Sequence, residues 1–209
     1  VSCALRKGEI VGLVGPNGAG KTTLLLTLMG FLRADEGEVH FGERRIHCGA
    51  SPEGAFFISD HPPFFGFLTV SEHLEAVASL AAAGINRERI RIALSQSGLS
   101  AYAEHRVAEL SRGLAQRLAW AQAIVVRPRI LFLDEPTTAL DPSGVIALRE
   151  FVQGESQRGC AVLFSSHSLA EVSRLSHRVL LLQAGKLSEL HPSGDRRRAR
   201  YEVRASCVT

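Results

Sequence analysis

This sequence holds little of what marks membrane-spanning, secreted or nucleic-acid-coating chains. Its longest stretches without a charged residue, such as positions 159–170, are 12 residues. A membrane span needs roughly 20 apolar residues. The first residues show none of the charged, apolar and small-residue zones of a secretory leader. Cys3, Cys48, Cys160 and Cys207 are scattered, with no C-x-x-C pair. That scatter predicts free thiols in a reducing cytoplasm, not a disulfide framework. A broad excess of one charge is missing too. The net charge is +3, and five arginines (196, 197, 198, 200 and 204) against Asp195 and Glu202 place all of it in residues 191–209. Residues 1–190 are left neutral, with 19 charges of each sign. A neutral body speaks against a basic face for nucleic acid, and no nucleic-acid partner is expected. Internal repeats and low-complexity segments are absent as well.

What is present is ordinary globular material. The chain has 209 residues, 45% hydrophobic and 22% charged. That length suits one domain with an inserted subdomain and a sizeable core. Residues 9–14 (EIVGLV) read as a short apolar strand, and residues 24–32 (LLLTLMGFL) as a helix. Gly-marked turns between them and residue 50 predict small antiparallel strands. Residues 55–59 (AFFIS) read as a buried strand. Residues 70 to about 126 turn Ala/Leu/Glu/Arg-rich, with apolar positions at helical spacing, and predict a helical subdomain. Strands at 130–133, 160–165 and 179–182 then alternate with helices at 142–157 and 169–175, with a turn at 183–186. Apolar strands alternating with helices predict an α/β fold with a mostly parallel sheet covered on both faces. The reading gives one domain over 1–190 and a basic tail over 191–209.

Gly15-Pro16-Asn17-Gly18-Ala19-Gly20-Lys21-Thr22, followed by Thr23, fulfils G-x-x-x-x-G-K-[ST] in full. Glycines let backbone N–H groups converge on phosphate oxygens without a Cβ in the way. The helix that follows turns its positive end to the same anion. Lys21 is placed to reach the β- and γ-phosphates, and the Thr22 hydroxyl to ligate Mg²⁺. A preceding apolar strand and a following helix are the context this motif requires.

The strand at 130–133 runs into Asp134-Glu135. Two acids there lie at the carboxyl edge of the sheet, where α/β folds bind ligands. Asp134 suits a hard cation, directly or through water. Glu135 is then a candidate general base for an attacking water.

Four more segments complete a pattern: Leu110-Ser111-Arg112-Gly113-Leu114-Ala115-Gln116-Arg117, Asp134-Glu135-Pro136-Thr137, Ala139-Leu140-Asp141-Pro142 and Phe164-Ser165-Ser166-His167. With the glycine loop they resemble, in order and separation, the nucleotide-binding subunit of an ABC transporter of bacterial exporter type. The resemblance covers nearly the whole chain and implies a P-loop NTPase fold. It also implies ATP and Mg²⁺ as ligands and a second ATP-binding subunit docked head to tail. A transmembrane permease partner and a place on the cytoplasmic face of the cell membrane complete the expectation. In that arrangement Ser111 and Gly113 face the partner subunit's γ-phosphate, Asp141 lies in a loop at the dimer interface, and His167 contacts the γ-phosphate and attacking water. Guanine recognition is poorly served, since the only asparagines, Asn17 and Asn86, are not followed by Lys-x-Asp. A soluble ATPase of the same family acting on ribosomes or DNA, and a non-catalytic nucleotide sensor, are the rival readings.

Three departures from the family pattern stand out. Arg112 replaces a glycine in the signature segment. Asp60 falls where the family places a glutamine, and a carboxylate there could approach Mg²⁺. An adenine-stacking aromatic belongs upstream of the segment that here starts at Val1. Elsewhere, five phenylalanines crowd positions 56–67 (Phe56, Phe57, Phe64, Phe65 and Phe67). They suit a groove for a partner's helix, a core joining two subdomains, or some of each. His40, His47 and Cys48 read as a solvated strand rather than a metal site. The arginine-rich tail reads as a solvated terminus, a contact for anionic headgroups or the partner, or the stump of a C-terminal extension.

Overall fold

The computed structural model describes residues 2–81, 86–138, 140–190 and 200–201. Its strands are β1 (Leu5–Arg6), β2 (Ile10–Val14), β3 (Val39–Phe41), β4 (Arg44–Ile46), β5 (Ala55–Ile58), β6 (Ile130–Leu133), β7 (Ala161–Ser166), β8 (Arg178–Gln183), β9 (Lys186–Leu190) and β10 (Arg200–Tyr201). Its helices are α1 (Lys21–Leu28), α2 (Val70–Leu80), α3 (Arg87–Gln96), α4 (Arg112–Val126), α5 (Pro142–Gln157) and α6 (Leu169–Leu175).

The apolar strands predicted from sequence assemble one six-stranded sheet in the order β5-β6-β7-β2-β8-β9. The first five strands are parallel and β9 returns antiparallel on β8. β9 replaces the last part of the predicted turn at 183–186. Ala184 and Gly185 both have positive φ (48° and 72°), the conformation of a tight two-residue hairpin. The other predicted strands hold to within a residue or two. Helix α1 starts three residues earlier than its apolar run, because Lys21 follows directly on the left-handed Gly20 that ends the glycine loop.

Alternation along β2 divides the core. Val11 and Leu13 pack with Leu25 and Leu28 of α1, beside the small β3–β4 hairpin. Ile10 and Val14 pack with Trp120 of α4, Leu148 and Val152 of α5 and Val172 of α6. Side chains two apart share a face, so a short, fully buried strand serves both layers. Gly12 is required here, since a Cβ at that position would collide with Val172.

Helices α2, α3 and α4 pack around Val70, Leu74, Ile90, Leu94, Leu118 and Val125. α4 therefore presents Ala119, Trp120 and Ala123 to the sheet and Leu118, Ala121 and Val125 to α2 and α3. Sequence punctuation fixes these helices. Thr69 and Glu72 form a reciprocal capping box at α2, and Asn86 and Ser111 cap α3 and α4. The phenylalanine cluster divides its work. Phe56 and Phe57 pack into the sheet layers and Phe64 touches two cores, whereas Phe65 and Phe67 are exposed. Most of the arginine-rich segment, 191–199 and 202–209, lies outside the described residues.

Candidate functional site

The site stands at the carboxyl edge of the sheet, where the loops after β2, β6 and β7 meet. The first loop carries Gly15, Pro16, Asn17, Gly18, Ala19 and Gly20. Gly18 and Gly20 take φ of 78° and 95°, angles that side chains on Cβ disfavour. Gly15 is needed for a different reason, because a Cβ there would strike the Leu182 carbonyl oxygen. The loop closes with Ala19 N donating to Pro16 O at 3.1 Å, and α1 begins at once. Helix α1 has no side-chain cap and no acid in its first turn. Its end keeps its positive character for an anion.

Lys21 is buried, yet its ammonium is well supplied with acceptors. It donates to Gly15 O at 2.9 Å and Pro16 O at 3.4 Å, and pairs with Glu135 Oε1 at 3.2 Å. Thr22 Oγ1 donates to Asp134 Oδ2 at 2.7 Å. Thr23 follows, exposed, on the same turn.

Asp134 is 5% exposed and is bonded from three elements at the edge. Its backbone N–H donates to Ile58 O of β5, and Ser165 Oγ of β7 donates to Asp134 Oδ1 at 2.6 Å. Ser165 Oγ also accepts from Glu135 N at 2.9 Å. That bond accompanies an unusual backbone: Glu135 has φ +46°. Left-handed geometry in a non-glycine residue is costly and concentrates where function demands it. It aims the Glu135 carboxylate between Lys21 and His167, whose Nδ1 lies 2.9 Å from Glu135 Oε2. His167 is largely exposed, so the Glu135–His167 end of the cluster opens to solvent while Asp134 does not.

The oxygen donors fit a magnesium ion. Thr22 Oγ1 and Asp134 Oδ2 are 2.7 Å apart, close to the ~2.9 Å between neighbouring ligands of an octahedron at 2.0–2.1 Å. A hydroxyl and a carboxylate are the hard oxygens this ion takes.

The remaining predicted residues stand apart from this cluster in their bonding. Asp60, two residues beyond β5, is engaged by an imidazole and a guanidinium. His61 Nδ1 lies 3.1 Å from Oδ2 and Arg112 Nη2 lies 3.7 Å from Oδ1. The two family departures, Asp60 and Arg112, therefore face each other. Ser111 caps α4 by accepting from Leu114 N at 3.4 Å. A Cβ added to Gly113 would meet nothing. Asp141 caps α5, accepting from Gly144 N at 2.7 Å and Ser143 Oγ at 2.9 Å. These bonds, the Gly144 bond foremost, hold its carboxyl below the ordinary value.

Sequence reasoning assigned no role to Ser165, Thr137 or Glu171. Ser165 joins both acids. Thr137 Oγ1 and Ser166 Oγ both donate to Glu171 Oε2, at 2.8 and 3.2 Å. The one available signal was the polar ending of an otherwise apolar strand, which puts hydroxyls at the same edge as the acids.

Comparison with known proteins gives consistent likenesses. The sequence profile described as ABC transporter matches residues 1–138. The chain is 32% identical to the lantibiotic transport ATP-binding protein SrtF of Streptococcus pyogenes, over 90% of this chain and 80% of that one. It is 32% identical to the molybdenum import ATP-binding protein ModC of Mycobacterium tuberculosis, over 93% of this chain and 57% of that one. Four uncharacterized ABC transporter ATP-binding proteins are 33–37% identical, and the chain spans only 54–63% of their length. Among solved structures, an ATP-binding subunit of an ABC transporter superposes with a TM-score of 0.80 at 27% identity, covering 89% of this chain and 80% of that one.

Proposed function

We propose, from the premise that this chain belongs to the ABC transporter family and carries its ATP-binding domain, that it binds and hydrolyses ATP to power a transporter. The observation that carries this reading is the convergence of Lys21, Thr22, Asp134, Glu135 and His167 at one sheet edge. In this reading residues 15–20 and the start of α1 cradle the phosphates with backbone N–H groups. The Lys21 ammonium exchanges its Glu135 contact for phosphate oxygens. Thr22 and Asp134 would hold a magnesium ion, which would supply positive charge against the negative charge that develops in transfer. Glu135, released from Lys21, accepts a proton from the attacking water, and His167 orients that water through its contact with Glu135.

The exposed N-terminus of α4, with Ser111 and Gly113, and the exposed Asp141 complete the same site on a second copy or a related subunit. Asp60 reaches the metal only by giving up Arg112. The direction proposed is export, because Leu110-Ser111-Arg112-Gly113-Leu114 resembles exporter-type signatures. The permease proposed is a separate membrane protein, as the family resemblance implies. Among the described residues no helix is long and apolar enough to cross a membrane. The chain then works on the cytoplasmic face of the membrane, with residues 1–190 as the ATP-binding domain and residues 70–126 as its helical part.

Magnesium-dependent ATP hydrolysis by the purified chain tests this, beside Lys21→Ala and Glu135→Gln. Glu135→Gln is expected to lower turnover by on the order of 10²–10³ while binding ATP within a few-fold of wild type. Lys21→Ala is expected to weaken triphosphate binding itself. Wild-type turnover in Glu135→Gln would overturn the assignment of the base. Nucleotide binding with no turnover in any form would favour the sensor reading.

A further inference from the structure

We infer that Glu171 is a positioning residue for hydrolysis: its carboxylate ties the loop that carries Glu135 to the loop that carries His167. This rests on the proposed ATPase reading and extends it to a residue outside the motifs.

The two loops arise from neighbouring parallel strands, β6 and β7. Their functional contact, His167 Nδ1 to Glu135 Oε2, lies at the exposed end. An exposed pair of this kind contributes little ordering on its own. Two side-chain connections hold the loops together further in. One is Ser165, which bonds Asp134 and the Glu135 N–H. The other is Glu171. Thr137 sits two residues after Glu135, and its hydroxyl donates to Glu171 Oε2 at 2.8 Å. Ser166 sits one residue before His167, and its hydroxyl donates to the same oxygen at 3.2 Å.

Glu171 is itself fixed. It lies in the first turn of α6, where its backbone N–H donates to the capping Ser168 Oγ. Ser168 N in turn donates to Ser166 Oγ at 3.0 Å. Ser166 is fully buried and relays between the cap and the carboxylate. Charged acceptors make stronger bonds than neutral ones. One carboxylate oxygen accepting from both loops therefore fixes the spacing of Thr137 and Ser166, and through them the approach of Glu135 to His167. A general base and its orienting group lose rate steeply when their geometry slips by about an ångström.

The test joins steady-state kinetics to hydrogen exchange. Glu171→Ala is expected to lower kcat by roughly 10- to 100-fold with KM for ATP within about twofold. Glu171→Gln keeps an acceptor oxygen and is expected to restore kcat to within about threefold of wild type. Thr137→Val removes only the donor, and adding it to Glu171→Ala is expected to cost little more, because both break one connection. In the nucleotide-free protein, Glu171→Ala is expected to speed amide exchange about tenfold in residues 137–138 and 166–168 together. The inference is overturned if kcat is unchanged, if KM rises in step with the loss, or if exchange quickens only within α6. Should Glu171→Ala fail to fold, Thr137→Val decides alone: full kcat in it defeats the proposal. An inactive wild type would defeat the ATPase reading, while the exchange pattern would still decide whether Glu171 ties the loops.

Discussion

The sheet edge and the N-terminus of α4 are built in opposite ways. At the edge, Lys21, Thr22, Asp134, Glu135, Ser165 and His167 bond one another across three loops, and Lys21 and Asp134 are nearly excluded from solvent. At α4, Ser111 satisfies only its own helix, Gly113 has open space before it, and Arg112 reaches a half-exposed Asp60 at 3.7 Å. One region is finished within the chain. The other has the local order of a capped helix end and, among the described residues, nothing for that end to act on. The contrast suits the proposed composite site, in which chemistry gathered on one surface would meet an anion-binding helix end offered by another copy.

The first way to break the comparison is to loosen the dense side. Ser165→Ala removes the hydroxyl that serves both Asp134 and Glu135 N, leaving a strained turn and a buried carboxylate each short of a bond. It is expected to lower kcat by roughly 10- to 100-fold. A kinetic scan in ATP and magnesium checks this, with the magnesium requirement expected to rise as well. An undiminished kcat would mean that the edge is not preorganised by its hydrogen bonds.

A smaller effect is expected on the sparse side, at Asp141. Its carboxyl is held below the ordinary 3.8 by the Gly144 N–H and Ser143 hydroxyl. A depressed folded value means that the unfolded chain binds the proton first as pH falls. The stabilisation is therefore complete above about pH 3.8 and is lost as pH falls through the lower folded value. Asp141→Asn is expected to flatten that acid limb while leaving midpoint shifts near neutral pH minor. Denaturant melts between pH 2.5 and 7 read the difference. An unchanged acid limb would mean that the cap does not set the pH response of α5.

The same contrast explains what could be read from the sequence. The glycine loop and the Asp134-Glu135 pair are contiguous strings, and the strands behind them are apolar runs, so chemistry and position were visible together. Strand β9 was not, because KLSEL lies at the sheet edge with mostly exposed side chains and carries no strong alternation. Ser165 and Glu171 were hidden for a different reason. Ser165 meets Asp134 from 31 residues away, and Glu171 meets Thr137 from 34. Serine and glutamate near a helix start also read equally well as caps, a role that Ser168 does fill. Arg112 and Asp60 were each noticed as departures. Only the fold shows that they face one another, because the end of β5 and the start of α4 are brought together by packing of α4 on the sheet.

The measurement that tests the central claim most directly is complementation between two disabled chains. Lys21→Ala breaks the phosphate loop and keeps the α4 end. Ser111→Arg blocks the α4 end and keeps the loop. If the working site is made from both regions on two copies, each variant alone is inactive. An equimolar mixture then recovers up to about a quarter of wild-type ATP hydrolysis, since half the pairs are mixed and each holds one intact site. Wild-type turnover by Ser111→Arg alone, or a mixture as inactive as its components, would contradict the account.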